Sequence, residues 1–288
     1  MDQKLLKYLQ ENQKDEINSF HVYNRLSASI KDKENAKVLR DIAQNEIDHY
    51  ELLKTHTGRD IKPSKLKIFI YTLMAHLLGL TFSLKLMERG EEQAQANYGC
   101  IEKEIPEISD IIREEEDHER KLLDIINEEG LNYMGSVVLG LNDALVELTG
   151  ALAGFTLAIQ KSRTIALMGL ITGIAATLSM AASEFLSQRQ EGNREEAVKS
   201  SLYTGFAYLG TVILLVLPYF LIQNPFIDLA VMMGIAILII LVFNFYISVA
   251  KDLPFKRRFA EMAAISIGVA VLSFGIGWLV RTFWGLEI

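Results

Sequence analysis

Five long apolar segments in the second half of the chain constrain its fold more than any other feature. Short polar turns separate them, and they lie at roughly Tyr133–Ile159, Ile165–Leu186, Leu202–Ile222, Phe226–Val249 and Phe259–Trp284. Each provides about the 20 predominantly apolar residues that a helix needs to cross a bilayer core. Five buried helices of a water-soluble protein would instead have polar outer faces. The sequence therefore predicts a five-helix transmembrane domain.

The distribution of charge divides the 288-residue chain near residue 130. All five histidines and most of the charged residues lie in residues 1–130, which are acidic overall. Nucleic acids bind basic faces, so we expect no nucleic-acid partner. The single cysteine, Cys100, excludes a disulfide framework and a four-cysteine metal site. We expect an all-α fold, with a cytoplasmic helical domain at 1–130 and the transmembrane domain at 131–288.

The basic residues predict the orientation of the membrane domain. The second and fourth loops between the apolar segments carry these residues: Arg189, Arg194, Lys199, Lys251, Lys256, Arg257 and Arg258. The remaining loops and the C-terminus carry only three. Since Lys and Arg are enriched in cytoplasmic loops, the N-terminal domain is predicted to be cytoplasmic and the C-terminus to lie on the opposite side.

Acidic residues within the apolar segments mark a candidate transport pathway. Asp143 and Glu147 are four residues apart and share one helical face, and Met180 and Glu184 form a second pair with the same spacing. Carboxylates combined with a thioether suit a divalent first-row metal better than Mg²⁺ or Ca²⁺. We expect these four side chains to line the pathway, with Glu184 near the cytoplasmic mouth. A buried proton relay and hydrogen-bonded packing carboxylates are the alternatives.

The same residues carry a resemblance to the vacuolar iron transporter family over residues 137–288. GLNDALVELTGALAG, with Asp143 at the acidic position, resembles the first-helix pattern of that family, and SMAASEFLSQRQE, with Met180 and Glu184, resembles the second. The resemblance implies a homodimer that exports Fe²⁺, with Mn²⁺ as a second candidate, in exchange for protons. Plant-type members have a long metal-binding insertion between helices two and three, whereas this loop is only about residues 188–200.

The first half of the chain has the pattern of a four-helix bundle. Breaks at Lys31-Asp32, at residues 57–63, at residues 99–106 and at Gly130 separate four helical stretches. These stretches are roughly Asp2–Ile30, Lys33–Thr57, Ser64–Tyr98 and Ile105–Glu129. Four long helices of similar length are typical of an antiparallel bundle.

Two Glu-x-x-His motifs predict a di-metal site inside this bundle. Glu46 and His49 form one motif, and Glu115 and His118 form the other. Residues three apart share a helical face, so each pair can bind one side of a metal centre. One such motif alone is often solvated surface. A di-metal bundle also needs one glutamate from each remaining helix, and Glu16 fits this role on the first helix.

The third predicted helix offers several glutamates for the remaining position. Glu91 is followed seven residues later by Tyr98, just as Glu16 is followed by Tyr23, so the chain contains a pseudo-repeat of Glu-x6-Tyr before each Glu-x-x-His motif. Glu88 would share a face with Glu91 as an extra ligand. Glu92 is a weaker rival.

Residues 1–130 resemble the ferritin-like superfamily, and rubrerythrin in particular. The resemblance implies a di-iron (Fe²⁺/Fe³⁺) centre, or one occupied by Mn²⁺, with the ligands Glu16, Glu46, His49, Glu88, Glu91, Glu115 and His118. The rubredoxin module of rubrerythrin requires four cysteines, and this chain has one. A ferritin-like domain followed by an iron-transporter-like domain resembles the membrane-bound ferritin subfamily.

Two functions remain open from the sequence. The leading hypothesis is a proton-coupled exporter of Fe²⁺ or Mn²⁺ in a prokaryotic plasma membrane, whose ferritin-like module captures, senses or oxidises iron. The alternative is a membrane-anchored di-iron oxidase or hydroxylase without transport.

One stretch of the first half complicates its topology. Ile68–Leu84 is an uncharged run of 17 residues, near the lower limit for a membrane span. If it crossed the bilayer, the two Glu-x-x-His motifs could not meet, so we expect it to remain on the cytoplasmic side. Its apolar surface would then pack in the bundle, on a partner protomer or on the membrane.

Overall fold

The protein is helical in both halves. The computed structural model describes the backbone of residues 3–101, 105–125, 133–191 and 194–284, and their side chains except those of residues 4, 91–101, 123–125, 191 and 284. Over this part of the chain there are ten α-helices and no strand, which confirms the all-α fold class. The chain divides into two compact units, Met1–Glu128 and Glu129–Ile288.

The described part of the first unit contains five helices. These are α1 (Gln3–Ser29), α2 (Lys33–Thr57), α3 (Lys65–Leu78), α4 (Leu80–Ile101) and α5 (Ile108–Ile125). Helices α1 and α2 pack along each other, α4 contacts α1 and α5, and α5 contacts α2, so these four form a bundle. Helix α3 packs against α1 and α4. The core includes Tyr23, Leu26, Leu39 and Ile42, which are buried between the helices.

Local capping explains where α2 begins and ends. The carboxylate of Asp32 accepts hydrogen bonds from the backbone N–H groups of Glu34 and Asn35, which would otherwise lack partners at the helix start. Gly58 ends the helix in the left-handed conformation, with φ 64°. The Thr57 hydroxyl then donates to Gln13 Oε1 at 2.7 Å, which fixes the end of α2 against α1.

The third predicted helix, Ser64–Tyr98, is not continuous, and this expectation was wrong. Gly79 adopts φ 96° and ψ 155°, and the break separates α3 from α4. A positive φ of this size is readily available only to glycine, so the sequence permits a break here. Across the break, the Ser83 hydroxyl donates to the backbone carbonyl of Tyr71 at 2.9 Å, which ties the two helices together.

The described part of the second unit contains five helices that are long and apolar enough to cross a membrane, which confirms the prediction of five candidate spans. These are α6 (Met134–Ile159), α7 (Ser162–Glu191), α8 (Arg194–Leu221), α9 (Pro225–Ala250) and α10 (Phe255–Trp284). Helix α6 packs against all four others, so the residues it carries lie at the centre of the unit.

Small residues allow α6 to approach its neighbours closely. Gly150 and Gly154 of α6 face Ser273 and Gly277 of α10, and a Cβ atom added to Gly277 would collide with the backbone carbonyl oxygen of Gly154. Near the other end of α6, Gly140 lies against the backbone of Thr204 in α8. The glycines along one face of α6 therefore allow close approach of two different helices, α8 and α10, as is typical of packed membrane helices.

Candidate metal centre and transport pathway

The bundle brings four of the predicted metal ligands into one buried cluster. Glu16 from α1, Glu46 and His49 from α2, and Glu115 from α5 each place a ligand atom within 4.8 Å of the others. All four side chains are buried, although charged groups are rarely buried unless they are paired or bind a metal. Carboxylate oxygens and imidazole nitrogens are the donors that first-row divalent metals bind in helical bundles.

Glu115 divides this cluster into two half-sites. Its Oε1 lies 3.2 Å from Nδ1 of His49, and its Oε2 lies 3.6 Å from Nδ1 of His118. Glu16 completes the first half-site at 3.5 Å from His49 Nδ1, and Glu46 completes the second at 3.3 Å from His118 Nδ1. His118 thus lies beside the cluster. Each half-site has one imidazole and one carboxylate of its own, and they share the carboxylate of Glu115.

The free nitrogens of the two histidines point into the cluster. Nδ1 of His49 and Nδ1 of His118 are buried and make no hydrogen bond within the described part of the chain, although carboxylate oxygens lie close by. Buried polar atoms are nearly always hydrogen-bonded, so these two nitrogens call for an explanation. Two metal ions would satisfy both, and the residues present therefore fit a di-metal centre.

The outer nitrogen of each histidine contacts the opposite helix. Nε2–H of His49 donates to a carboxylate oxygen of Glu114 at 2.9 Å, and Nδ2 of Asn45 lies 3.1 Å from Nε2 of His118. A ligating histidine that donates its other N–H group is held in the tautomer and the orientation needed for metal binding. Glu114 therefore orients the His49 imidazole for metal binding, and Asn45 contacts the ring of His118.

The surrounding charges change the protonation of the metal-free cluster. Burial alone would lower the pKa of His49, but Glu115 and Glu16 beside it outweigh this effect and raise the pKa well above its ordinary value. Burial alone would raise the pKa of Glu115, but His118 and His49 outweigh it and lower the pKa. Without metal, the cluster therefore holds protonated His49 against ionised Glu115.

The ligands predicted on the third helix are not part of this cluster as described. Glu88 of α4 is half-buried and is not among the four clustered residues. The side chains of Glu91 and its rival Glu92 lie outside the described residues. These positions remain predictions.

In the membrane unit, Glu184 is buried among hydroxyl groups. It accepts hydrogen bonds from Ser136 Oγ of α6 at 2.7 Å, from Ser200 Oγ of α8 and from Gln188 Nε2 of its own helix at 3.2 Å. These contacts place Glu184 where α6, α7 and α8 meet. Met180, one turn earlier on α7, is half-buried against the apolar core of the unit.

Asp143 and Glu147 form a second acidic group further along α6. Asp143 is half-buried, and its charge interacts with that of Glu147. The Tyr208 hydroxyl of α8 donates to Glu147 Oε2 at 2.6 Å, and Glu147 is exposed in the single chain. Both carboxylates therefore lie beside α8, and Glu147 also reaches the surface of the unit.

The polar residues of α6 lie at increasing distances from Ser136 along the helix. With a rise of about 1.5 Å per residue, Asp143 lies about 10 Å and Glu147 about 16 Å from Ser136, the residue that donates to Glu184. Thr156 lies about 30 Å from Ser136, near the far end of the helix. The predicted pathway residues thus occupy different depths instead of one compact site.

Asp228 is a buried carboxylate at the far end that the sequence analysis did not identify. It lies in the first turn of α9 and is fully buried, and neither of its oxygens has a hydrogen-bond partner among the described residues. Its charge interacts with Tyr219 of α8, whose hydroxyl lies 2.7 Å from Thr156 Oγ1. An isolated buried carboxylate is costly unless it holds a proton or a cation. In the sequence, Asp228 is near a span boundary and resembles an ordinary helix-start acid.

The two outer partners in the bundle were also missed, although the sequence contains a signal for them. Asn45 directly precedes the motif that begins at Glu46, and Glu114 directly precedes the motif that begins at Glu115. Each one contacts the histidine of the opposite motif. The repeated unit is therefore one residue longer than Glu-x-x-His.

Comparison with known proteins concerns the membrane unit. Residues 134–198, which span α6, α7 and the first residues of α8, match the VIT family, and this stretch contains Asp143, Glu147, Met180 and Glu184. No curated protein matches the chain at a significant level. The VIT match and the five apolar helices together support a vacuolar iron transporter-type membrane domain in the second unit, and this family indicates metal-ion transport across a membrane.

Proposed function

We propose that the chain exports Fe²⁺, with Mn²⁺ as a second candidate, from the cytoplasm in exchange for protons. The observation that carries this proposal is a series of three carboxylates within the stretch that matches the VIT family. Glu184 of α7 lies beside the start of α6, and Asp143 and Glu147 lie at successive depths along α6. Carboxylates inside a span are costly and are usually retained for function. A series of them provides successive binding positions for a divalent cation.

Metal ions and protons compete for the same carboxylate oxygens along this series. Glu184 receives the ion at the cytoplasmic end, where the hydroxyls of Ser136 and Ser200 hold its carboxylate in place. Asp143 and Glu147 bind the ion deeper in the span, and Tyr208 fixes one oxygen of Glu147. A carboxylate that takes up a proton loses metal affinity, which couples release of the ion to proton binding.

Asp228 is the residue we assign to proton uptake at the far end. It is fully buried beside Tyr219, and neither of its oxygens has a hydrogen-bond partner among the described residues. A buried carboxylate without a hydrogen-bond partner is costly as an anion, and a bound proton would remove that cost. Protons from the non-cytoplasmic side would bind here before they reach Glu147.

The exposed carboxylate of Glu147 supports a homodimer. It lies on the surface of the single chain within a helix that crosses the membrane. Contact between a charged group and lipid is unfavourable, whereas a second copy would cover it with protein. The pathway would then run beside the interface between two α6 helices.

The bundle is proposed to capture metal on the cytoplasmic side, the side that the basic even-numbered loops predict. Glu16, Glu46, His49, Glu115 and His118 would hold two ions, with Glu115 between them. A bound di-iron centre supplies redox and Lewis-acid chemistry. The residues around it bind the ions, exclude water through burial and keep the His49 imidazole oriented through Glu114. We place the protein in a prokaryotic plasma membrane.

Metal flux in proteoliposomes with an imposed pH gradient tests the transport proposal. We expect Asp143→Ala to abolish Fe²⁺ flux, while Leu139→Ala, at an exposed apolar position one turn away, retains it. Equal flux from the wild type and Asp143→Ala would contradict the role of that residue. If the wild-type protein carries no flux but consumes O₂ in the presence of Fe²⁺, the membrane-anchored oxidase becomes the better description.

A further inference from the structure

Helix α3 has a continuous apolar face that no described part of the bundle covers. Five large side chains make up this apolar stripe: Leu66, Phe69, Ile70, Leu73 and Leu77. At 3.6 residues per turn they project within about 100° of one another. Leu66 is 68% exposed and Leu77 is 72% exposed. Contiguous apolar surface of this kind marks an interaction site on a soluble domain.

The opposite face of α3 is packed, so the exposure of the stripe does not come from a detached helix. Ile68 is buried, and Tyr71 and Ala75 pack against the same bundle core. Lys67 forms an ion pair with Asp15 of α1 at 2.6 Å. The backbone N–H of Ser64, at the helix start, donates to Asn18 Oδ1 of α1 at 2.7 Å. These contacts fix the rotation of α3, and the stripe necessarily faces outward.

The charges around the stripe indicate what covers it. Lys62 and Lys65 are exposed at the start of α3, and residues 61–87 contain no acidic side chain. The first half of the chain is otherwise acidic. A second α3 helix would give these two lysines no opposite charge, whereas anionic lipid headgroups would. Basic residues beside an apolar helix face are typical of helices that lie in the membrane interface.

The length of α3 excludes a transmembrane placement. It has 14 residues and ends at Gly79, so it spans about 21 Å, less than the bilayer core of about 30 Å. The helix can therefore lie along a bilayer but cannot cross it. The five candidate membrane spans of the same chain tether the bundle to a bilayer.

We propose that the apolar stripe of α3 binds the surface of the membrane in which the chain is embedded, with Lys62 and Lys65 at anionic headgroups. The bundle then contacts lipid directly through Leu66, Phe69, Ile70, Leu73 and Leu77. This contact does not depend on transport, so it stands or falls separately from the proposed export of metal.

Spin labels on the full-length protein test this contact. In a Cys100→Ser background, Leu73→Cys and Leu77→Cys place labels on the stripe, and Lys37→Cys places one at an exposed position of α2. The labelled proteins are reconstituted in nanodiscs of phosphatidylcholine and phosphatidylglycerol. Collisions with O₂, which concentrates in lipid, are compared with collisions with a water-soluble nickel chelate. Unchanged metal content of each variant confirms that the bundle is folded.

We expect the labels at Leu73 and Leu77 to be several-fold more accessible to O₂ than to the nickel chelate, and the label at Lys37 to show the reverse. Adding Lys62→Glu and Lys65→Glu should reduce the preference for O₂ at Leu73, whereas adding Lys37→Glu should not. Nickel accessibility at Leu73 equal to that at Lys37 would overturn the proposal. Spin–spin broadening between copies that persists in detergent would also overturn it, in favour of a second copy on this face.

Discussion

Oε1 of Glu115 lies 3.2 Å from His49 Nδ1. The second oxygen is directed at the other histidine of the cluster, at 3.6 Å. A carboxylate in this arrangement belongs to both half-sites at once. Removal of the Glu115 carboxylate should therefore impair metal binding at both half-sites. Removal of Glu16 or Glu46 should impair it at one half-site only.

Glu115→Ala is expected to lower the metal content of the bundle by two ions, whereas Glu16→Ala should lower it by one, because Glu16 lies beside His49 alone of the two histidines. Metal content after anaerobic loading with Co²⁺ can be measured by mass spectrometry of the purified protein. Glu119→Ala, at an exposed position of α5, is the control for loss of a charge. Retention of both ions by Glu115→Ala would rule out the shared role.

Glu114→Ala is expected to weaken metal binding at the His49 half-site by about 10- to 100-fold, the usual effect of losing the partner behind a ligating histidine. Glu114 accepts the Nε2–H hydrogen bond at 2.9 Å and does not need to touch the ion. Calorimetric titration with Co²⁺ gives the affinity, and Glu116→Ala, an exposed neighbour on the same helix, is the matched control. Equal affinities for the two variants would show that Glu114 has no orienting role.

Metal binding to the bundle should release protons and should tighten as the pH rises. The raised pKa of His49 means that its imidazole is protonated at pH 7 in the metal-free cluster, whereas a ligand nitrogen has to be neutral. The lowered pKa of Glu115 keeps that carboxylate ionised, so it contributes no proton. Affinity therefore falls as the pH falls below the pKa of His49.

Calorimetry at pH 7 in buffers with different enthalpies of ionisation measures this proton release. The observed heat should vary linearly with the buffer enthalpy, and the slope should be smaller for His49→Ala. A wild-type heat that is the same in all buffers would mean that His49 binds metal without losing a proton.

Gly277→Ala should destabilise the membrane unit, because the added methyl group would collide with the backbone carbonyl of Gly154 and force α6 and α10 apart. Overpacking of this kind costs about 1–3 kcal/mol. Gly275→Ala, two residues away on α10, is the control, since no atom outside its local backbone lies within 4 Å of the added Cβ. Thermal unfolding in detergent compares them, and equal melting temperatures would contradict the close packing.

Asp228→Asn should uncouple transport from the pH gradient while leaving the protein folded. The amide has nearly the shape of the protonated carboxyl group, and no described hydrogen bond to either Asp228 oxygen is lost. We expect Fe²⁺ flux driven by a pH gradient to fall at least several-fold, and flux driven by an Fe²⁺ gradient alone to remain. If the variant responds to the pH gradient as the wild type does, Asp228 is not the site of proton uptake.

Much of the architecture follows from patterns that act over short distances. The five spans are predictable because apolar runs of their length are compatible with few other folds. The pairing of each histidine with a glutamate of its own helix is predictable because residues three apart share a helical face. Glu46, His49, Glu115 and His118 come together because each helix is regular between its caps. These are properties of single helices, which a sequence displays directly.

The features that were missed depend on contacts between helices. The break at Gly79, whose φ is positive, lies within an apolar run that indicates one continuous helix. Asp228 reads as an ordinary helix-start acid, and only its burial against α8 distinguishes it. Sequence periodicity contains no information about which neighbour a side chain will meet.

The histidines of the bundle are supported by unlike groups at equivalent positions, a carboxylate behind His49 and an amide behind His118. A carboxylate partner increases the donor strength of an imidazole more than an amide does, so the two half-sites would bind metal with unequal affinity. A centre of this kind would fill in two steps as the metal concentration rises, and its singly loaded form would exist over an interval of concentration.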